Sequence, residues 1–458
     1  MSGGNIMKHS VLIVSLFAIA TPAMGQLVKL TTGSGGGERQ PVVSADGRVV
    51  AYLAMSAGTR ELFTIPTKGG TATARTTGKD VSVGYGTFDS WTSISMSANG
   101  RYITYWNLSG VHLVDTVSKT DTVVAKTFLI PYPRLDTAGK RAVWQSPVNN
   151  QQEVFVMDLP NGTPKQITTT SGAGRRLPVV DGGLVLFQKT VGGWHELFLH
   201  DVQLNKTTQL TTNSGPGNRY GNFAPGGDSI VYEAIASGCK EVFVHSLLTS
   251  KTTKVSSLGK TGDRLPVATM DRHLFYQSRS NTLEVYRADD DGKNVVTVTT
   301  GSSGGLRRPS TDAHGHVVVF QAANAGGTLE VWCYRYCPEV TLTRYGTHDK
   351  PSLGKLESDD YWYRCDLWPG IRTSLFNYWA VWALGVRQTS VKIPGTGSSL
   401  YTDPLLLAPV HVPALGGAYA RLPVPQAMKG TLYYQWFVFD ASANALGIVG
   451  SEGTKASF

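Results

Sequence analysis

A chain of 458 residues exceeds one ordinary hydrophobic core unless it is built from repeats. Its 42 Lys and Arg against 33 Asp and Glu leave a basic excess of 9, scattered without a run of five, which supplies solubility and excludes a nucleic-acid-binding tract. Four cysteines do not make a disulfide scaffold, and no apolar stretch is long enough to span a membrane.

The first element, residues 1–25, reads as a secretory leader. Lys8 and His9 precede the apolar run from Val11 to Ala20, and Ala23-Met24-Gly25 places small residues at the cleavage positions. The mature chain is expected to start near Gln26 and to reach the periplasm or the cell surface.

From residue 27 to about 345 one unit recurs. Its marker is an aromatic ending an apolar strand: Tyr52, Tyr105, Trp144, Phe187, Tyr232, Tyr276 and Phe320, at intervals of 39 to 53 residues. In the first unit, Pro41-Val42-Val43-Ser44 is the innermost strand and Ala45-Asp46-Gly47-Arg48 a turn. Val49 to Leu53 is the second strand, Glu61 to Ile65 the third, and Gly69-Gly70 leads to the outer strand. Outer strands often end in a hydrophobic residue and two hydroxyls, as in Ile167-Thr168-Thr169 and Leu210-Thr211-Thr212. The same ending, Leu30-Thr31-Thr32, stands alone ahead of the first unit, as a ring closed by its own leading strand requires. The expected fold is all-β: a seven-bladed β-propeller over 27–345, with six or eight blades as alternatives, then a small antiparallel β-sandwich over 346–458.

Ser-Ala-Asp-Gly at 44–47, Ser-Ala-Asn-Gly at 97–100 and the aromatic-ended strands resemble the repeats of the TolB-type, WD-repeat-like propeller family. The resemblance implies a protein-binding propeller in the envelope. The chain departs from that prototype in lacking room for a separate N-terminal domain and in carrying seven repeats instead of six.

Two charges recur with the period. Arg39, Arg176, Arg219, Arg264 and Arg307 each lie two residues before the first Pro of an innermost strand, or before Gly221 at the matching position. Glu61, Glu153, Glu196, Glu241, Glu284 and Glu330 each open a third strand. A meander brings both sets to one end of the ring. One reading is a crown of guanidinium groups that binds anions at the channel mouth. The other is an Arg–Glu clamp between blades, favoured because the second unit lacks both partners, with Thr92 and Gly110 in their places. The position after the aromatic also repeats, as Gln145, Gln188, Gln277 and Gln321 with Glu233 in the fifth unit; backbone hydrogen bonding is its expected role.

Cys333, Cys337 and Cys365 are expected to be structural thiols or to hold one disulfide among them, whose pairing the spacing does not choose. Residues 361–382 are crowded with aromatics, from Tyr361 and Trp362 to Trp379 and Trp382, expected to form a packed core and not a sugar-stacking platform. Gly416-Gly417, Leu422-Pro423, Gly430, Tyr433-Tyr434-Gln435-Trp436, Asp440 and Ser451 resemble a C-terminal module of exported planctomycete and myxobacterial proteins, which implies a surface or envelope location.

No Gly-x-Ser-x-Gly follows the repeats, so a fused serine peptidase is excluded. The expected function is a non-enzymatic, monomeric scaffold without cofactor or metal that binds a protein, a peptide or an anionic glycan. The alternative is a propeller-type lyase acting on uronic-acid oligosaccharides, with His195, His200, His245, His273, His314 and His316 as candidate metal ligands.

Overall fold

The computed structural model describes residues 12–13, 26–32, 37–82, 93–127, 130–169, 176–212, 220–256, 264–299, 307–336 and most of 341–457, short gaps aside. Two compact units emerge: Gln26–Arg335, and Tyr336–Phe458 with Met1–Gly25. No helix among the described residues is long and apolar enough to cross a membrane.

In the first unit the described residues form seven four-stranded antiparallel sheets. Each is a meander. The first, for example, runs Arg39–Val43, Val49–Ser56, Thr59–Pro66 and Thr73–Ala74. Second strands are buried on both faces, as Val50 to Ala54 show, because each sheet is sandwiched between neighbours. Core clusters accordingly straddle adjacent sheets; one joins Val50, Tyr52 and Ile65 of the first sheet to Val319, Val331 and Cys333 of the last. The innermost strands touch in an unbroken cycle, each meeting the next and the last meeting the first. The unit is a β-propeller.

Two devices close it. The segment Gln26–Lys29 is the outer strand of the last sheet, with Val28 opposite Cys333. Beyond it the Leu30 amide donates to the Val331 carbonyl (2.9 Å), and the Val331 amide donates to Thr31 Oγ1 (2.9 Å). Thr31 thus does for the last sheet what the first hydroxyl of the outer-strand ending does in five others. Thr76, Thr168, Thr211, Ser256 and Thr299 accept the amides of Leu62, Val154, Leu197, Val242 and Val285 in the same way.

Turns between first and second strands tie the ring at one end. Ser44, Ser97, Asp136, Thr269 and Asp312 accept amides at the start of the second strand, while Gly47, Gly100, Gly139 and Gly315 take the positive φ the turn demands. These turns also bond to one another across sheets. The Asp46 amide donates to the Ala98 carbonyl (3.0 Å), the Ala98 amide to that of Thr137 (2.8 Å), and the Ala313 amide to that of Ala45 (3.0 Å), joining last sheet to first.

Burial raises the Asp312 carboxyl to about 6, against ~3.9 in an unfolded chain. The native state therefore binds more protons between those values, so ionisation of Asp312 weakens the fold as pH rises through that window. Asp312→Asn is expected to gain stability relative to the wild type between pH 4 and 7, measured by denaturant unfolding. A difference independent of pH would contradict this.

Among the described residues the second unit holds two sheets. One joins the long hairpin Tyr378–Lys392 and Ser399–Val412 to Thr431–Phe439, Gly453–Ser457 and Thr341–Tyr345, with Ile448–Gly450 at the side. The other is built on Gly417–Pro423, flanked by Gly370–Thr373 and Asp366–Trp368; Leu12–Ile13 pairs with it in parallel. Leu367, Ile371, Ala420 and Leu422 of this second sheet share one core with Trp382, Trp436 and Val438 of the first. Trp382 is fully buried, as expected of a core aromatic, whereas Trp379 is exposed; the side chains of the other six aromatics of residues 361–382 lie outside the described residues. Gln435 is buried. Its Nε2 donates to the carbonyls of Ser399 and Ser451, and its Oε1 accepts the Tyr401 amide, so Gln435 fastens its own strand to Ser399–Val412 and to the residue that follows Ile448–Gly450.

Cys333 is a free, fully buried thiol, pushed up to about 12 by burial, so of the two expected readings it is a structural thiol and not a disulfide partner. Its place opposite Val28 and Val319 in the last sheet explains why: it fills the core as a small hydrophobe. Cys337 and Cys365 lie outside the described residues.

Candidate ligand cavity in the channel

At the other end of the ring a strained residue recurs. Gln40, Tyr132, Leu177, Leu265 and Arg308, each immediately before a proline, have φ between 45° and 55°. A side chain in this region costs roughly 1–2 kcal/mol, so the surroundings must hold it. For four of the five, the repeated amide or the Glu233 carboxylate in its place does so from the preceding blade. Gln145 Oε1 accepts the amides of Arg176 (2.7 Å) and Leu177 (3.2 Å). Gln277 Oε1 accepts those of Arg307 (3.0 Å) and Arg308 (3.4 Å), and Glu233 Oε2 that of Leu265 (3.1 Å). Gln321 of the last blade accepts the Gln40 amide of the first (2.9 Å). Gln40 Oε1 in turn takes the Ser93 amide (2.6 Å), in a blade where Leu53 stands at the amide position.

Of the five repeated arginines, Arg176 and Arg307 are buried, and their Nε atoms donate to the carbonyls of Gln152 (2.8 Å) and Leu283 (2.6 Å) on the preceding blade. Burial lowers both guanidinium groups; the charges of Glu153 and Glu284 oppose it. Arg39 is half-buried. Arg219 and the side chain of Arg264 lie outside the described residues.

The repeated glutamates meet the outer-strand hydroxyls, a link between two motifs that the sequence displays separately. Thr76 donates to Glu61 (2.6 Å), Thr211 to Glu196 (2.5 Å) and Ser256 to Glu241 (3.2 Å), while Thr168 and Thr299 donate to Glu153 and Glu284. Glu330 pairs with Lys29 of the closing strand at 2.7 Å.

Four of the strained residues, Tyr132, Leu177, Leu265 and Arg308, and the innermost strands surround a cavity of about 230 Å³, to which all seven sheets contribute. Its charged lining residues are Arg134 and Arg308, and no Asp or Glu joins them among the described residues. Arg308 is buried; Arg134 stands on an innermost strand, and burial lowers it to about 10, which leaves it a cation at neutral pH. Tyr132, Tyr220, Asn222 and Ser310 add aromatic and polar surface. Asn222 and Ser310 also bond to the next blade, at the Pro266 carbonyl and the Val43 amide. Of the repeated arginines whose side chains are described, Arg39, Arg176 and Arg307 do not line this cavity. The sequence signal for its cations is slight: Arg134 departs from the repeat, and Arg308 hides beside the periodic Arg307.

The candidate histidines are dispersed over the blades. His200 and His245 contact Thr207 and Thr252 within their own sheets (2.9 Å each), and burial lowers both; His273 meets Asp289 at 3.0 Å. His314 stacks on His316. Among the described residues no group of three His, Cys, Asp or Glu is assembled with metal-ligand geometry.

No protein-family model matches the chain, and no curated protein does. Solved structures do. An oligogalacturonate lyase in complex with manganese is similar at a TM-score of 0.53 and 13% identity, over 69% of this chain and 94% of that one. An oligogalacturonate lyase from Vibrio parahaemolyticus gives 0.52 and 12%, over 69% and 94%. TolB from Acinetobacter baumannii gives 0.41 and 14%, over 63% and 79%. At these identities the chain shares with the two lyases a fold.

Proposed function

We propose that this protein is an exported, monomeric, seven-bladed propeller with a C-terminal β-sandwich, which binds an anionic group of a glycan or of a protein or peptide partner in its channel cavity. The observation that carries the reading is the cavity lining: among the described residues, two arginines, two tyrosines and no carboxylate. A carboxylate entering beside Arg134 and Arg308 gains charge-assisted hydrogen bonds where water is scarce. The role proposed for the cavity is binding, without turnover.

The test titrates uronic-acid oligosaccharides and acidic peptides against wild type and Arg134→Met at low salt. Affinity for one of these ligands is expected to fall at least about tenfold in the variant, a loss of ~1.4 kcal/mol, and to weaken with added salt. Equal affinity in variant and wild type would sink the reading. Metal-dependent formation of unsaturated uronate, followed by absorbance, would favour the lyase instead.

A further inference from the structure

In five blades an aromatic of the third strand stacks on that of the second, as Phe63 does on Tyr52 and Phe155 on Trp144. The second blade has His112 there, stacked on Tyr105 with ring centroids 4.5 Å apart. His112 is 2% exposed and is wired at both nitrogens. Nδ1 lies 2.9 Å from Asp121 Oδ1, whose other oxygen accepts the Tyr105 hydroxyl at 2.7 Å. Nε2 lies 2.8 Å from Ser109 Oγ. Ser109 sits exposed in the turn between Tyr102–Asn107 and Gly110–Asp115, with its amide held by Asn107 Oδ1 at 2.8 Å. Asn107 is fixed in turn by the Lys79 carbonyl (2.9 Å), which settles its amide orientation.

We propose that Ser109, His112 and Asp121 form a nucleophilic site that acylates on small activated esters, separate from the channel cavity. The order of contacts, hydroxyl to one ring nitrogen and carboxylate to the other, is what base activation of a serine needs. Asn107 Oδ1, 3.0 Å from Nε2 and 2.7 Å from Ser109 Oγ, gives the site two states. With the ring protonated, Nε2–H faces these oxygens and the hydroxyl donates to Asn107. With the ring neutral, Nδ1–H donates to Asp121 and the hydroxyl turns to Nε2. In that state Ser109 Oγ bonds to the ester carbonyl carbon, its proton passes to Nε2, and the departing alkoxide takes that proton. Water then attacks the acyl-serine, gives a proton to Nε2, and releases the acid as Ser109 recovers its hydrogen. The charges facing the ring are Asp121 and, on that carboxylate, Lys79 at 3.6 Å; Tyr105 carries the influence of Glu61 from the first blade.

The experiment treats the full chain with a fluorophosphonate, in which Ser109 displaces fluoride, and maps the adduct by peptide mass. An adduct on Ser109 is expected, absent in Ser109→Ala and slowed about tenfold or more in Asp121→Asn. Folded wild type without an adduct at Ser109, or equal rates in D121N, overturns the proposal. Because changes at the buried network can unfold the blade, Ser109→Cys supplies a second measurement. Its alkylation by iodoacetamide is expected to be half-maximal well below the ~8.5 of a free thiol, as imidazolium pairing stabilises the thiolate. An ordinary thiol profile overturns the proposal as well. Neither readout depends on anion binding in the channel, so the two proposals fail separately.

Discussion

Arg307→Ala should lower the stability of the propeller by about 3–5 kcal/mol while leaving the channel cavity able to bind. Arg307 is fully buried, its Nε donates to Leu283, and it faces Glu284, so truncation leaves a buried carboxylate without its counter-charge and a carbonyl without its donor. Its neighbour Arg308 lines the cavity, and Arg308→Ala should show the opposite balance, with weakened anion binding and a smaller stability loss. Urea unfolding of both variants, with the slope checked for constancy, separates the roles. An Arg307→Ala protein as stable as wild type but unable to bind anions would favour the crown over the structural role.

Deleting residues 26–32 should abolish cooperative folding. The segment supplies the outer strand of the last sheet, the buried Leu30 and the hydroxyl that caps Val331. Burying a leucine is worth ~1.5–3 kcal/mol and each ladder hydrogen bond ~1 kcal/mol. The sum rivals the ~5–15 kcal/mol on which a typical domain rests. The exposed edge of Leu329–Arg335 would then offer an unpaired template for aggregation. Size-exclusion chromatography and thermal unfolding check this; a monomeric truncated protein melting within a few degrees of wild type would contradict it.

The propeller is legible in the sequence because closure imposes a repeat: every blade needs the same turn, the same doubly buried strand and the same outer ending, and Leu30-Thr31-Thr32 stands out as an ending without a blade. The repeated glutamines are legible too, since a buried amide must find backbone. The meeting of Glu61 with Thr76 is not, because the chain between them loops out before the outer strand returns to the third. The cavity arginines are hidden for a different reason. An innermost strand of two to five residues, facing a channel that is neither core nor bulk water, carries no burial pattern to read, and Arg134 looks like any loop cation. The blade-two network leaves no signal because His112 occupies an aromatic position and its partners Ser109 and Asp121 come from a turn and an outer strand. In the C-terminal unit, strand identities follow from composition, but the pairing of Thr341–Tyr345 with Gly453–Ser457 joins segments far apart in the chain and leaves no local trace.

Ring closure by the leading strand can be measured with one substitution. Val28 lies opposite Cys333, a buried thiol that makes no disulfide, and directly opposed residues of an antiparallel pair have Cα atoms ~4.5–5.5 Å apart, within disulfide reach. After mild oxidation, Val28→Cys should yield a peptide linking residues 28 and 333, with both thiols protected from alkylation in the folded protein. If the thiol introduced at position 28 instead stays reactive while the propeller remains folded, or links to another cysteine, the leading strand does not close the ring.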